Sequence, residues 1–135
     1  MTNRTKSNTE GQDHRDGHIL VVDDERAIRR LTNRILILNG YSVATCASGA
    51  KAVDVYSRLH DEIDLVILDM IMPNMNGVET LRQLKKIDPT VRAILCSAFI
   101  PDLKGHTVSD EGFVGFLSKP FKIDDLLATI DLHVK

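Results

Sequence analysis

The chain has no tryptophan, two tyrosines, four phenylalanines, two cysteines and four prolines in 135 residues. So few aromatics, and no tryptophan, argue against a flavin sandwiched between rings. Two cysteines without a CxxC or His-rich partner motif exclude a structural zinc site. Cys46 and Cys96 read as small buried apolar residues. No apolar run approaches the roughly 20 residues of a membrane span, and the N-terminus lacks the apolar core of a signal peptide. There is no excess of positive charge: 17 Lys and Arg stand against 19 Asp and Glu, for a formal charge of -2. The basic residues are dispersed, which argues against a nucleic-acid surface and against direct DNA binding. A cytoplasmic protein with no membrane partner is expected. The five histidines show no ligand spacing and read as solvent-facing.

What is present is alternation. Residues 1–17, MTNRTKSNTEGQDHRDG, carry almost no apolar side chains and predict a disordered polar N-terminal tail. From residue 18 onward, short β-branched apolar runs alternate with helical periodicity, which predicts one α/β domain over residues 18–135. Strands are expected at 18–23, 41–46, 64–69, 91–97 and 113–118. The third should be central, because Leu65, Val66, Ile67 and Leu68 are apolar on both faces. The first helix is expected to bury Ile28, Leu31, Ile35 and Leu38, with Ile37 opposite, and to stop at Asn39-Gly40. Helices follow from about Gly49 to Leu59 and from Val78 to Lys86. The last helix is expected to bury Ile123, Leu126, Leu127, Ile130 and Val134, leaving Leu132 outward. Between strands four and five, FIPDLKGHTVSDEG has poor helix propensity and predicts a short, marginal element opening near Asp102. Asn76-Gly77 is expected to supply permissive turn geometry after Pro73.

Four of the strands end in groups suited to phosphoryl transfer: ILVVDDE, DLVILDMIMPNMNG, AILCSA and FLSKPF. Right-handed crossovers and a phosphate-handling edge beside the first strand favour the order 2-1-3-4-5, a flavodoxin-like doubly wound five-stranded parallel sheet with helices on both faces. That order puts Asp23, Asp24, Asp69, Ser97 and Lys119 at one edge. It also separates the two cysteine strands by three ladder steps, about 14 Å, too far for a disulfide. Carboxylates gathered so closely repel unless a divalent cation sits among them, so the acids read as a metal site. Taken singly, each residue has a plainer explanation: a helix cap for the acids, a surface charge for the lysine, a strand-end hydroxyl for the serine. A cap needs one acid, however, and does not account for the others.

Residues 18 to 134 resemble the receiver domain of bacterial two-component response regulators, chemotaxis regulators among them. The likeness lies in Asp23-Asp24 after the first strand, Asp69 with Met72-Pro73 and Gly77 behind it, Ser97, and Lys119-Pro120-Phe121. It implies a phosphorylation-dependent switch rather than an enzyme, although such a domain catalyses its own phosphoryl transfer and dephosphorylation. Asp69 would be the phosphoacceptor, charged by a histidine kinase or histidine phosphotransfer protein. Mg²⁺ would be held by Asp24, Asp69 and the backbone carbonyl of Ile71, with Asp23 acting through water. Lys119 and Ser97 would bind phosphoryl oxygens, and a cis peptide would precede Pro120. Phe116 stands at the switch-aromatic position, often Tyr, and with Ser97 would alter the surface of the fourth helix, fifth strand and fifth helix. Ile71 and Phe99 replace commoner polar residues beside the path of hydrolytic water, which implies a long-lived phosphate.

A haloacid-dehalogenase-type phosphatase would carry its two acids two apart, whereas these are adjacent. A flavodoxin would need a hydroxyl-rich loop where this chain has DDE. The alternative that stays open is a receiver-fold interaction module that signals without phosphate. Also open are a free-standing regulator or the receiver of a longer hybrid kinase, which the GF-x-GFL-x-KPF run resembles, and a phosphorylation-dependent homodimer. The downstream partner is unassigned.

Overall fold

The computed structural model describes residues 17–99, 101, 103, 105 and 107–134. The expected tail, apart from Gly17, lies outside them, as do Asp102 and Lys135. Five strands form the sheet: β1 (His18–Val22), β2 (Ser42–Cys46), β3 (Leu65–Asp69), β4 (Ala93–Ser97) and β5 (Gly115–Ser118). All neighbours are parallel and the order is β2-β1-β3-β4-β5, as the sequence predicts. Four α-helices are found among the described residues: α1 (Arg26–Leu38), α2 (Gly49–Leu59), α3 (Gly77–Ile87) and α4 (Ile123–His133).

The period of two along each strand divides the core into two layers. Leu20, Val22, Val66, Leu68, Ala93 and Leu95 point to one face, where Ala52 and Tyr56 of α2 and Val78, Leu81 and Leu84 of α3 cover them. Ile19, Val21, Leu65, Ile67, Ile94 and Cys96 point to the other, beneath Ile35 and Leu36 of α1 and Leu126 and Ile130 of α4. Every residue of β3 is buried. Truncating one of its leucines to alanine would cost about 2–5 kcal/mol, transfer and cavity together. Cys46 and Cys96 are free and buried, on strands separated by β1 and β3.

Helix phases differ from expectation in two places. In α1 the buried residues are Thr32, Ile35 and Leu36, while Leu31 and Leu38 are exposed along with Ile37. Near the C-terminus of this helix, Arg34-Ile35-Leu36-Ile37-Leu38 offers apolar side chains in nearly every direction, so periodicity alone does not select the inward one. In α4, Leu126 and Ile130 are buried, Leu127 and Val134 are half-buried, and Ile123 is exposed with Leu132. Gly40, at φ 91°, ends α1 as expected.

Between β4 and β5 no helix is assigned among the described residues; a turn covers 108–112. Leu103 and Val108 pack onto the α2 and α3 layer, and Arg82 of α3 pairs with Glu111 at 2.9 Å. Within the turn the Glu111 N–H donates to the Thr107 carbonyl at 3.2 Å and the Gly112 N–H to the Ser109 carbonyl at 2.9 Å. The helix counted fifth from sequence is therefore α4.

Candidate functional site

The C-terminal ends of β1, β3 and β4 and the turn after β5 surround one open cavity of 310 Å³, lined by Asp24, Glu25, Asp69, Ile71, Ser97, Ala98 and Lys119. Parallel pairing puts these ends level: Val22 is opposite Leu68, Asp69 opposite Cys96, and Ser97 opposite Ser118. The next residue of each strand or turn then reaches the same edge, which is where ligands bind in open α/β sheets.

Asp69 is buried at the floor. Its carboxylate, with those of Asp23 and Asp24, forms a group whose ligand oxygens all lie within 4.8 Å of one another. Lys119 Nζ donates to Asp23 Oδ2 at 2.8 Å and to Asp69 Oδ1 at 3.1 Å, and stands 3.9 Å from Glu25 Oε1. The peptide between Lys119 and Pro120 is cis. Burial, and after it the charge of Asp23, pushes the Asp69 carboxyl up to about 6 against the pull of Lys119. Burial opposes the charge of Lys119, yet hydrogen bonds and attraction from Asp23 and Asp69 hold its ammonium at about 12. Three carboxylates facing one cation are left with excess negative charge. Their oxygen donors fit a hard divalent cation such as Mg²⁺.

Ser97 is buried at the end of β4, where its Oγ accepts a 3.4 Å hydrogen bond from the Phe99 N–H. The neighbouring Cys96 thiol is pushed up to about 12 by burial, which makes it inert. Ile71 and Phe99 are 58% and 56% exposed, and Ile71 lines the cavity. Phe116 does not line it. That ring is opposite Leu95 in the register and packs against the α2 and α3 layer.

The loop from β3 to α3 keeps Asp69 in place by means other than the expected Asn76-Gly77 turn. Asn74 takes the left-handed conformation, at φ 70°. Asn76 caps α3 in a reciprocal box with Glu79, at 2.8 and 2.9 Å. Gly77 N–H donates to the Met70 carbonyl at 2.9 Å.

Glu25 was legible only as the third letter of DDE, without a role. It occupies the N-cap position of α1, but its side chain makes no cap hydrogen bond and lies on the cavity wall. The signal for it was the run of three acids, one more than a cap or a metal pair requires.

The response regulator receiver domain family matches residues 19–131. The chain is 38% identical over 114 residues to chemotaxis protein CheY of Bacillus subtilis, covering 84% of this chain and 93% of that protein. It is 36% identical over 112 residues to sensor kinase CckA of Brucella abortus; those residues are 83% of this chain but only 12% of that protein. The receiver domain protein from Clostridium thermocellum superposes with a TM-score of 0.80 at 32% identity, covering 87% of this chain and 94% of that one. A family match over most of its length and relatives alike in sequence and in fold place the chain among the response regulator receiver domains, the signalling domains of two-component systems.

Proposed function

We propose that this receiver is a phosphorylation switch in which Asp69 accepts a phosphoryl group from a phosphohistidine of a histidine kinase or histidine phosphotransfer protein. The observation that carries this reading is Asp69 itself: a buried carboxylate at the floor of an open cavity, hydrogen-bonded to Lys119 and crowded by two further acids. One Asp69 oxygen attacks phosphorus, the P–N bond breaks, and its electron pair stays on the imidazole nitrogen. With its carboxyl at about 6, Asp69 is mostly ionised at neutral pH and so available as a nucleophile.

Asp23, Asp24 and Asp69, with the Ile71 carbonyl, would hold Mg²⁺, which when bound neutralises charge on the transferring phosphoryl group. Lys119 supplies a second, fixed positive charge to a phosphoryl oxygen, at no cost in reorganisation because Asp23 already orients it. Ser97 lies within the same cavity lining, so its hydroxyl can turn from the Phe99 N–H to a phosphoryl oxygen. That inward turn would free space beside β4 for Phe116 and change the surface formed by the 99–114 connection, β5 and α4. Residues 18–135 act as one receiver in this reading, in the cytoplasm, with a protein partner for the altered surface.

The test is intact mass after incubation with Mg²⁺ and acetyl phosphate or phosphoramidate. A single-phosphate adduct that requires metal and is lost in Asp69→Ala is the expected result. A folded, Mg²⁺-binding protein that gains no adduct from either donor would favour a phosphate-independent interaction module.

A further inference from the structure

Among the described residues at the cavity, Glu25 is the acid to which phosphoryl transfer as set out above gives no task. Its N–H is occupied by Asp23 Oδ1 at 2.9 Å and its carbonyl by the Arg29 N–H. Its carboxylate has no cap bond and stands 3.9 Å from Lys119 Nζ. The Glu25 side chain is 66% exposed, against 8% for Asp69 and 13% for Lys119. Asp69 is thus at the floor and Glu25 at the mouth.

That vertical order matters because in-line displacement puts the attacking and leaving atoms on opposite sides of phosphorus. With the nucleophile on the floor, the leaving group points outward and departs past the Glu25 carboxylate. We infer that Glu25 is a specificity-determining residue that selects phosphodonors by the charge of the departing group, favouring nitrogen donors that leave neutral over oxygen donors that leave as anions. The inference rests on Asp69 as the phosphoacceptor and adds a donor class to it.

The charges in the two reactions differ in the required way. Phosphoramidate at neutral pH carries a protonated nitrogen on its phosphoryl group, with net charge -1. Attack by the Asp69 carboxylate forms the O–P bond and breaks P–N; the electron pair stays on nitrogen, and neutral ammonia leaves. Acetyl phosphate enters as a dianion. Attack on it forms the same O–P bond, breaks the acetyl O–P bond, and releases an acetate anion that keeps the electron pair. Glu25 opposes both the entry of the second donor and the exit of its leaving group. Toward the first it offers an acceptor to a departing N–H group. A protonated phosphohistidine ring leaves as neutral imidazole and belongs with the nitrogen donors.

The experiment follows adduct formation by intact mass with each donor, at a Mg²⁺ concentration shown by calorimetry to saturate each variant. Glu25→Gln should raise the acetyl phosphate rate by about threefold to tenfold, as expected for one unit charge at a partly solvated cleft, and leave the phosphoramidate rate unchanged or lower. Glu25→Asp should keep the wild-type ratio. At about 1 M salt, where the Debye length is about 3 Å, the wild-type preference should shrink toward that of Glu25→Gln. A donor ratio that Glu25→Gln leaves unmoved, or rates for both donors that change by one common factor, would overturn the inference while leaving Asp69 as phosphoacceptor. No adduct on the wild type from either donor would overturn the phosphoacceptor reading and this inference with it.

Discussion

A methyl group placed on Gly77 would lie 2.6 Å from the main-chain carbonyl oxygen of Asp69, with Leu95 Cδ1 at 3.0 Å and the Met70 Cα at 3.1 Å. The first residue of α3 is therefore in contact with the backbone of the proposed phosphoacceptor, and no side chain fits between them. Alanine at a helical position ordinarily gains about 0.5–1 kcal/mol over glycine. Here the contact is with backbone, which cannot swing away, so the clash prevails. Gly77→Ala is expected to lose about 1–3 kcal/mol in urea unfolding and to slow adduct formation, because the Asp69 carbonyl must shift. A variant as stable as wild type or more so would show that the loop yields.

The ionisation of Asp69 sets a pH dependence whose sign can be worked out. Its carboxyl rises from 3.8 to about 6 on folding, by burial first and by the charge of Asp23 next. Between those values the folded protein binds more protons than the unfolded chain, so the metal-free protein loses stability as pH rises through this window. Asparagine has no such charge to bury. Metal-free Asp69→Asn should exceed wild type at pH 8 by on the order of 1–3 kcal/mol, with the difference vanishing near pH 4. Saturating Mg²⁺ should stabilise wild type more than the variant. Thermal unfolding across pH, with and without metal, measures both effects.

The contrast between Leu68 and Leu38 explains what could be read from the sequence. Leu68 lies in a run apolar on both faces, the pattern of a central parallel strand, so β3 was placed inside the sheet, while its order was read from right-handed crossovers and the acids gathered at one edge. Leu38 lies in a helical stretch where apolar residues point several ways, and which of them turns inward depends on how α1 docks, a tertiary matter. Thr32 is buried in its stead. The Glu25 carboxylate was hidden for a similar reason: an acid at a helix start ordinarily caps, and only the assembled cavity reveals that this one does not. Phe116 was placed on β5 correctly, but its distance from the cavity lining depends on which face the strand turns to α3. Among the described residues between β4 and β5 no helix is assigned, in keeping with the poor helix propensity of Gly105, Thr107 and Val108; Asp102, where a short helix was expected to open, lies outside them.

Lys119 has two roles that one substitution separates. Its ammonium neutralises Asp23 and Asp69 in the absence of metal, at 2.8 and 3.1 Å, and so competes with any cation for the same oxygens. Lys119→Met keeps the length of the side chain and removes the charge. At pH 8, where the carboxylates stay ionised, Mg²⁺ should bind several-fold more tightly by calorimetry. Adduct formation should nonetheless fall about a hundredfold, the usual loss when a preorganised donor to a developing charge is removed. Metal affinity and phosphorylation falling together would mean that Lys119 only holds the site in shape.

Hydrolysis of the proposed aspartyl phosphate requires a water in line behind phosphorus, and neither Ile71, on the cavity lining, nor Phe99, two residues past Ser97, offers that water a polar side chain. Ile71 and Phe99 are exposed, apolar and without an acceptor atom beyond their backbone carbonyls. These two side chains neither position a water nor take its proton, so the adduct should outlast that of a receiver with polar groups in these two places. Replacing both, Ile71→Asn with Phe99→Glu, supplies an amide to position the water and a carboxylate to draw its proton. The double variant is expected to shorten the adduct half-life by about tenfold, at the low end of a general-base contribution because the groups are solvent-exposed. The measurement is loss of the phosphate mass after the donor is removed. Both positions are on the surface, so stability should change by less than about 0.5 kcal/mol, and a faster decay can then be attributed to water at phosphorus rather than to a loosened fold. An unchanged half-life would mean that access, not orientation, limits the attack.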